Sequence, residues 1–132
     1  MIERALSQYG IKEIPGVENN PEILKYFEGL GDWNEDTAWC SAYCNWVVKE
    51  AGKKGSGELN ARSWLYAGEA VFNPKIGDVV VLWRVAKNDW RGHVGFYINE
   101  DEEYFYLLGG NQDNQVCIKP YDKNRLLGFR RL

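Results

Sequence analysis

Asp36-Thr37-Ala38-Trp39-Cys40-Ser41-Ala42-Tyr43-Cys44-Asn45-Trp46-Val47-Val48 reads as a helix whose first turn carries a cysteine. Asp36 or Thr37 supplies the N-cap, because a short side-chain oxygen there accepts from a free backbone N–H of the first turn. Cys40 then falls where unpaired N–H groups and the helix dipole favour an anion. The thiolate, which is the nucleophilic form of cysteine, is such an anion. The helix is expected to run to about Ala51 and to stop at Gly52. Its apolar residues wrap most of the circumference, with Cys40, Cys44, Val47, Val48 and Ala51 on one side and Trp39, Tyr43 and Trp46 on another. A helix apolar on most faces is buried between layers. A sheet is expected on one side of it and N-terminal helices on the other.

Upstream, Ile2, Ala5, Leu6 and Tyr9 have helical spacing and end at Gly10. Pro15-Gly16 signals a turn. Asn20-Pro21 reads as an N-cap followed by proline at the first helical position, opening a short helix through Ile23, Leu24 and Phe27. Downstream, residues 53–60 form a polar link and residues 61–66 a short helix. From there the period changes. Residues 79–83 are a continuous apolar run suited to a central strand. Residues 93–98, 103–110, 115–118 and 128–131 read as four more strands, the first two joined by the acidic turn at residues 99–102. Helices first and an antiparallel sheet of about five strands afterwards argue an α+β fold. No repeat or interdomain linker appears, so residues 1–132 are read as one domain.

Composition narrows the function. Hydrophobic residues make up 45% and charged residues 27% of the chain, values of an ordinary globular protein. The net charge of −3 lacks the basic footprint of a nucleic-acid binder. Lys119, Lys123, Arg125, Arg130 and Arg131 cluster near the C-terminus and read as a solvated face. No apolar run is long enough to span a bilayer, so no membrane insertion is expected. Met1 to Leu6 lacks the basic start and apolar core of a signal peptide. Three cysteines are an odd count for a disulfide framework, and with one histidine no Cys/His zinc site can be assembled. No metal or other cofactor is expected. The acids Asp32, Glu35 and Asp36 lack the spacing of a calcium loop; Asp36 is kept as a contact for a substrate ammonium.

A nucleophilic cysteine needs a base, and the base needs an orienting partner. His93 is the available imidazole. Alternation puts His93, Gly95 and Tyr97 on one strand face and Val94, Phe96 and Ile98 on the other. Gly95, without a side chain, offers clearance for the helix that carries Cys40. The next strand returns Gly109-Gly110-Asn111 to the same end, and matched register brings Asn111 onto the His93 side. Asn111 would hold the ring in a Cys-His-Asn arrangement, with Asp113 as second candidate. The Cys40 backbone N–H is the natural oxyanion donor. Trp33, Trp39, Trp83 and Trp90 lie beside these segments; most read as core or rim packing, with one or two as candidate groove walls. Residues 86–91, including Arg91, are the candidate substrate loop, and Gln112 joins the substrate contacts beside Asn111.

The segments Asp36 to Tyr43, Gly77 to Trp83, Gly92-His93-Val94-Gly95-Phe96-Tyr97 and Leu108-Gly109-Gly110-Asn111-Gln112 together resemble the CHAP and NlpC-type cysteine peptidases. More closely they resemble the small bacterial and phage branch with a Gly-Gly-Asn-Gln segment. The resemblance implies a papain-like fold, with Cys40 as nucleophile, His93 as base and Asn111 as the polar third residue. It implies peptidoglycan as substrate, cut at the amide joining sugar to stem peptide or within the peptide. Many CHAP domains carry a glutamate two residues before the asparagine; here that place is Gly109. The expected activity is a thiol hydrolase of stem peptides, synthesised in the cytoplasm and reaching the wall by holin release or secretion, as a phage lysin or an exported antibacterial effector with an immunity or delivery protein as partner. Two alternatives remain: acyl transfer to an amine on the same scaffold, and a catalytically inert wall-binding module.

Overall fold

The computed structural model describes residues 1–14, 20–31 and 39–132. The chain opens with two short helices, α1 (Ile2–Leu6) and α2 (Pro21–Leu24), the second continued by a 3-10 turn at Lys25–Phe27. The Asn20 side chain accepts from Glu22 N–H at 2.9 Å, with Pro21 at the first helical position, as the sequence leads one to expect. The central helix α3 spans Cys40–Glu50. Among the described residues a 3-10 turn at Ala61–Tyr66 precedes six strands, β1 (Glu69–Val71), β2 (Val79–Trp83), β3 (Gly92–Glu100), β4 (Tyr104–Gln112), β5 (Gln115–Asp122) and β6 (Leu126–Arg131). They form one sheet in the order β1-β6-β2-β3-β4-β5, antiparallel throughout. The strand missing from the sequence reading is β1. It has three residues, two of them exposed, and so lacks an apolar pattern.

One face of the sheet takes α3. Val79, Val81, Val94, Phe96 and Leu108 pack there with Cys40, Ala42, Tyr43, Cys44, Val47 and Val48. The N-terminal helices cover the other side of α3: the Tyr43 hydroxyl donates to Ala5 O at 2.8 Å, and Tyr26 stacks edge-on to Tyr43. The layering deduced from the all-round apolar helix is therefore present. The second sheet face has its own core of Val80, Leu82, Tyr97, Phe105, Leu107 and Phe129. Phe105 on β4 and Phe129 on β6 are three strands apart, roughly 14 Å in a flat sheet. Their rings lie 5.5 Å apart, so the sheet curls over that face.

Three features of α3 are tertiary. Its N-cap position is Trp39, which makes no side-chain capping bond; Asp36 and Thr37, expected to cap it, lie outside the described residues. Trp39 is instead fixed by its ring, fully buried, stacked on Tyr26 and donating from Nε1 to Glu13 at 2.8 Å. Ser41 and Asn45, one turn apart, tie the helix to the polar link. Ser41 Oγ donates to Glu58 O at 2.6 Å and accepts from Trp64 Nε1 at 2.8 Å, and Asn45 Oδ1 accepts from Gly57 N–H at 2.9 Å. Buried polar groups survive because each finds a partner.

The C-terminal cations are not a solvated face. Arg131 grips the buried Asp78 carboxylate with Nε and Nη2 at 2.9 and 2.7 Å, and Lys75 N–H donates to the same group at 2.8 Å. Burial alone would raise the Asp78 carboxyl, but Arg131 and the amide hold it below the usual range. Arg130 donates to Ala67 O and Gly68 O, Lys119 pairs with Asp113, and Lys123 pairs with Glu100. Among the described residues no helix is long and apolar enough to cross a membrane, and no cluster of three acid, Cys or His side chains could hold a metal.

Candidate active site

Cys40 and His93 meet at one end of the sheet through the peptide bond that joins His93 to Val94. Cys40 begins α3 and is 2% exposed. The Val94 N–H is the first of the backbone donors that favour a thiolate on it, followed by the N–H of Ser41. One turn on, the Cys44 thiol lies against Val94 O at 3.9 Å. Among the described residues Cys40 Sγ has no hydrogen bond to the imidazole. A helix N-terminus by itself favours an easily ionised thiol. Burial is the larger effect: it pushes the Cys40 thiol up, and the amides and Arg84 offset it only in part. Cys44 is raised further still by burial, in keeping with a packing role.

The approach of helix to sheet differs from the sequence reading. The face of β3 that meets α3 is the Val94 and Phe96 face, not the face of His93 and Gly95. The glycine that admits the helix is Gly110. A Cβ there would lie 2.8 Å from the Trp39 ring and 2.8 Å from Tyr43 Cβ. Gly109 serves a different purpose. A Cβ there would lie 2.4 Å from Gln112 Oε1, so it clears space for the Gln112 side chain, whereas a Cβ on Gly95 would crowd Leu107 Cβ and Leu108 O, each at 3.2 Å.

Gln112 is the partner of His93. Its Oε1 is 2.9 Å from His93 Nε2, and the residue is 1% exposed. Its Nε2 donates to Leu107 O at 3.0 Å and to Cys117 O at 2.7 Å. Two carbonyl acceptors fix which end of the amide is NH2, so Oε1 must face the ring, and His93 Nε2 must carry the proton. The lone pair is then on Nδ1. Asn111, expected in this role, makes no side-chain hydrogen bond to His93. The reason is a register shift in the β4–β5 ladder between Gly109 and Gln112, where Asn111 adopts a left-handed φ of 58°. One extra residue in a bulge moves the next side chain onto the opposite face. Asn tolerates that conformation well, which accounts for its presence. The Asp113 carboxylate pairs with Lys119 at 2.8 Å, so it does not orient His93 either.

His93 is 7% exposed. Burial pushes its pKa down to about 4, with the Gln112 bond opposing and Arg84 and Lys119 adding to the fall. Its ring stacks on Tyr121, centroids 4.7 Å apart. The sequence reading ends this strand at residue 118 and so misses Tyr121; β5 runs on to Asp122. Beside His93 opens a cavity of about 170 Å³, lined among others by Trp83, Arg84, Asn111, Lys119, Tyr121 and Arg125.

The other expected substrate contacts are not gathered here. Trp39 is core, sealed by Tyr26 and Glu13. Gln112 is buried behind His93 and not a groove residue. Trp33 and Asp36 lie outside the described residues. Trp90 is 69% exposed, and Arg91 pairs with Asp89; neither lines the cavity. Their loop is nevertheless held. The Arg62 guanidinium donates to Ala86 O, Lys87 O and Arg91 O at 2.8–3.1 Å. Gly92 allows this, since a Cβ there would lie 3.1 Å from Arg62 Cγ.

The model of the CHAP domain matches residues 32–111, more than half of the chain, a span that holds Cys40, His93 and Asn111 and ends one residue before Gln112. The protein belongs to the CHAP domain family. That family is of the peptidoglycan-hydrolase type of cysteine peptidase. Solved structures similar to this CHAP domain include an NlpC/P60 family protein of Bacillus cereus (17% identity, TM-score 0.63, covering 98% of this chain and 38% of that one). Others are NlpC1 of Trichomonas vaginalis (17%, 0.57, 98% and 41%) and a Staphylococcus aureus protein described as similar to lipoprotein, NLP/P60 family (19%, 0.57, 98% and 39%). At these identities the likeness is one of fold, and it establishes the papain-like α+β architecture. The chain spans about two fifths of the length of each of them. A comparison with curated proteins returned no match.

Proposed function

We propose that this CHAP domain is a thiol hydrolase of peptidoglycan stem peptides, an amidase or endopeptidase with Cys40 as nucleophile, His93 as base and Gln112 as the residue that positions His93. The observation that carries the reading is the Gln112 network. By donating to two carbonyls and accepting from His93 Nε2, it leaves the Nδ1 lone pair as the base on the residue joined to the peptide N–H that faces Cys40 Sγ. Burial makes thiol and neutral imidazole the resting forms. Proton transfer from Sγ to Nδ1 then accompanies formation of the bond from sulfur to the amide carbon. The Cys40 N–H in the first turn of α3 is a donor for the oxyanion. Collapse of the tetrahedral intermediate breaks the C–N bond, and the imidazolium protonates the leaving amine. Water, deprotonated by His93, releases the acid from the thioester. Cys40→Ala should abolish release of peptide fragments from purified cell wall, while Cys44→Ala should alter stability more than rate. Full activity in Cys40→Ala ends the proposal.

A further inference from the structure

The cavity beside His93 is cationic. Arg84, Lys119 and Arg125 line it, and among the described residues no Asp or Glu does. Lys119 is paired with Asp113 at 2.8 Å, at the cavity's outer side where Asp113 is exposed. Arg84 and Arg125 have no carboxylate partner among the described residues. Arg125 lies over the Trp83 ring, 5.5 Å from its centroid, a cation–π contact that places the guanidinium without neutralising it. Asn111 also lines the cavity, and its amide makes no side-chain hydrogen bond among the described residues. The volume of about 170 Å³ is well above the roughly 10–15 Å³ that a single water requires, and leaves room for a carboxyethyl group.

We infer that this cavity is a subsite for a free carboxylate borne by the substrate next to the scissile amide, held by the guanidinium groups of Arg84 and Arg125 with the Asn111 amide as a further donor. The forked donors of arginine match a carboxylate geometrically, and such bonds are stronger than neutral ones. The electrostatics agree. Arg84 and Lys119 both oppose a charge on His93, so an anion bound to Arg84 offsets part of that field when His93 takes the thiol proton. Asn111 and Gln112 thereby exchange the roles that the linear order suggested: Gln112 holds the imidazole, and Asn111 faces the ligand. The inference rests on the hydrolase reading above for the identity of the substrate.

The test uses two synthetic stem peptides, identical except that a glutamyl α-carboxylate is free in one and a carboxamide in the other. Binding is measured by calorimetry to the Cys40→Ala protein, and hydrolysis is measured with Cys40 intact. The acid peptide should bind about tenfold tighter. That ratio should fall to about threefold in Arg84→Gln or Arg125→Gln, and to about one in the double variant, with thermal melts reporting that each variant is folded. It should also shrink with added salt, since the site opens to solvent. Equal binding of the two peptides, no binding of either, or a preference that survives in the double variant overturns the subsite. Hydrolysis of both peptides without preference overturns the subsite and leaves the hydrolase standing. An arginine-dependent binding preference with no hydrolysis by the intact protein supports the subsite and overturns the hydrolase.

Discussion

Gln112→Met is the most informative single change in the site. Methionine has nearly the length of glutamine and no strong hydrogen-bonding group. The substitution removes the acceptor 2.9 Å from His93 Nε2 and the donor to Leu107 O and Cys117 O. With three buried bonds lost at about 1 kcal/mol each, stability should fall by about 2–3 kcal/mol. The catalytic loss has a separate origin. The Gln112 bond favours the protonated ring, which exists only once His93 has taken the thiol proton. A hydrogen bond to a charged group contributes about 1.5–3 kcal/mol, so kcat should fall roughly 10- to 100-fold. The chain has one histidine, so ¹⁵N NMR of the tag-free protein reads this site without assignment. The parent should show the Nε2–H tautomer and titrate near pH 4. Gln112→Met should titrate lower still. Asn111→Gly keeps the left-handed backbone and should leave the imidazole spectrum and its titration in place. The reasoning fails if Asn111→Gly moves the His93 titration as far as Gln112→Met does, or if Gln112→Met changes neither titration nor kcat.

Three further outcomes are expected of the same protein. His93 has a folded pKa of about 4 against an ordinary 6.5, so the unfolded chain binds more protons between those values. Its contribution is complete above about pH 6.5 and is lost as pH falls through 4, up to about 3 kcal/mol; urea midpoints across that window measure it, and a midpoint independent of pH there is the contrary result. Gly110→Ala drives a Cβ to 2.8 Å from Trp39 and Tyr43 and should cost about 1–3 kcal/mol by overpacking, read as a lower denaturation midpoint; an unchanged midpoint means the helix can retreat freely. Because Cys40 and Cys44 are buried and Cys117 is half-exposed, a thiol reagent near neutral pH should modify Cys117 first in the resting protein; fast selective labelling of Cys40 would show a preformed thiolate instead.

Much of the fold is legible along the chain because it is carried by local pattern. The apolar run at residues 79–83, the alternation after His93 and the cap at Asn20-Pro21 each mark their element through short-range sterics. Glu69–Val71 leaves no such mark, since a short edge strand is set by its partner β6. Arg131 looked solvated because Asp78, which it grips, is distant in sequence. Trp39 looked like a groove wall because it adjoins Cys40; its stacking on Tyr26 and bond to Glu13 are contacts no neighbour reveals.

Cys40 at a helix start and His93 at a strand start were determined by the sequence alone, because periodicity and turn residues place them within a few positions. The identity of the residue behind His93 was decided by tertiary structure. Strand alternation has a period of two, so one bulged residue, Asn111 at φ 58°, exchanges the faces of everything after it and delivers Gln112 to the imidazole. The protonation of the pair was likewise decided in three dimensions. A helix dipole can be read from sequence, but the burial that outweighs it at Cys40 comes from packing against Val94 and its neighbours, and desolvation depends on what surrounds a group rather than on what precedes it.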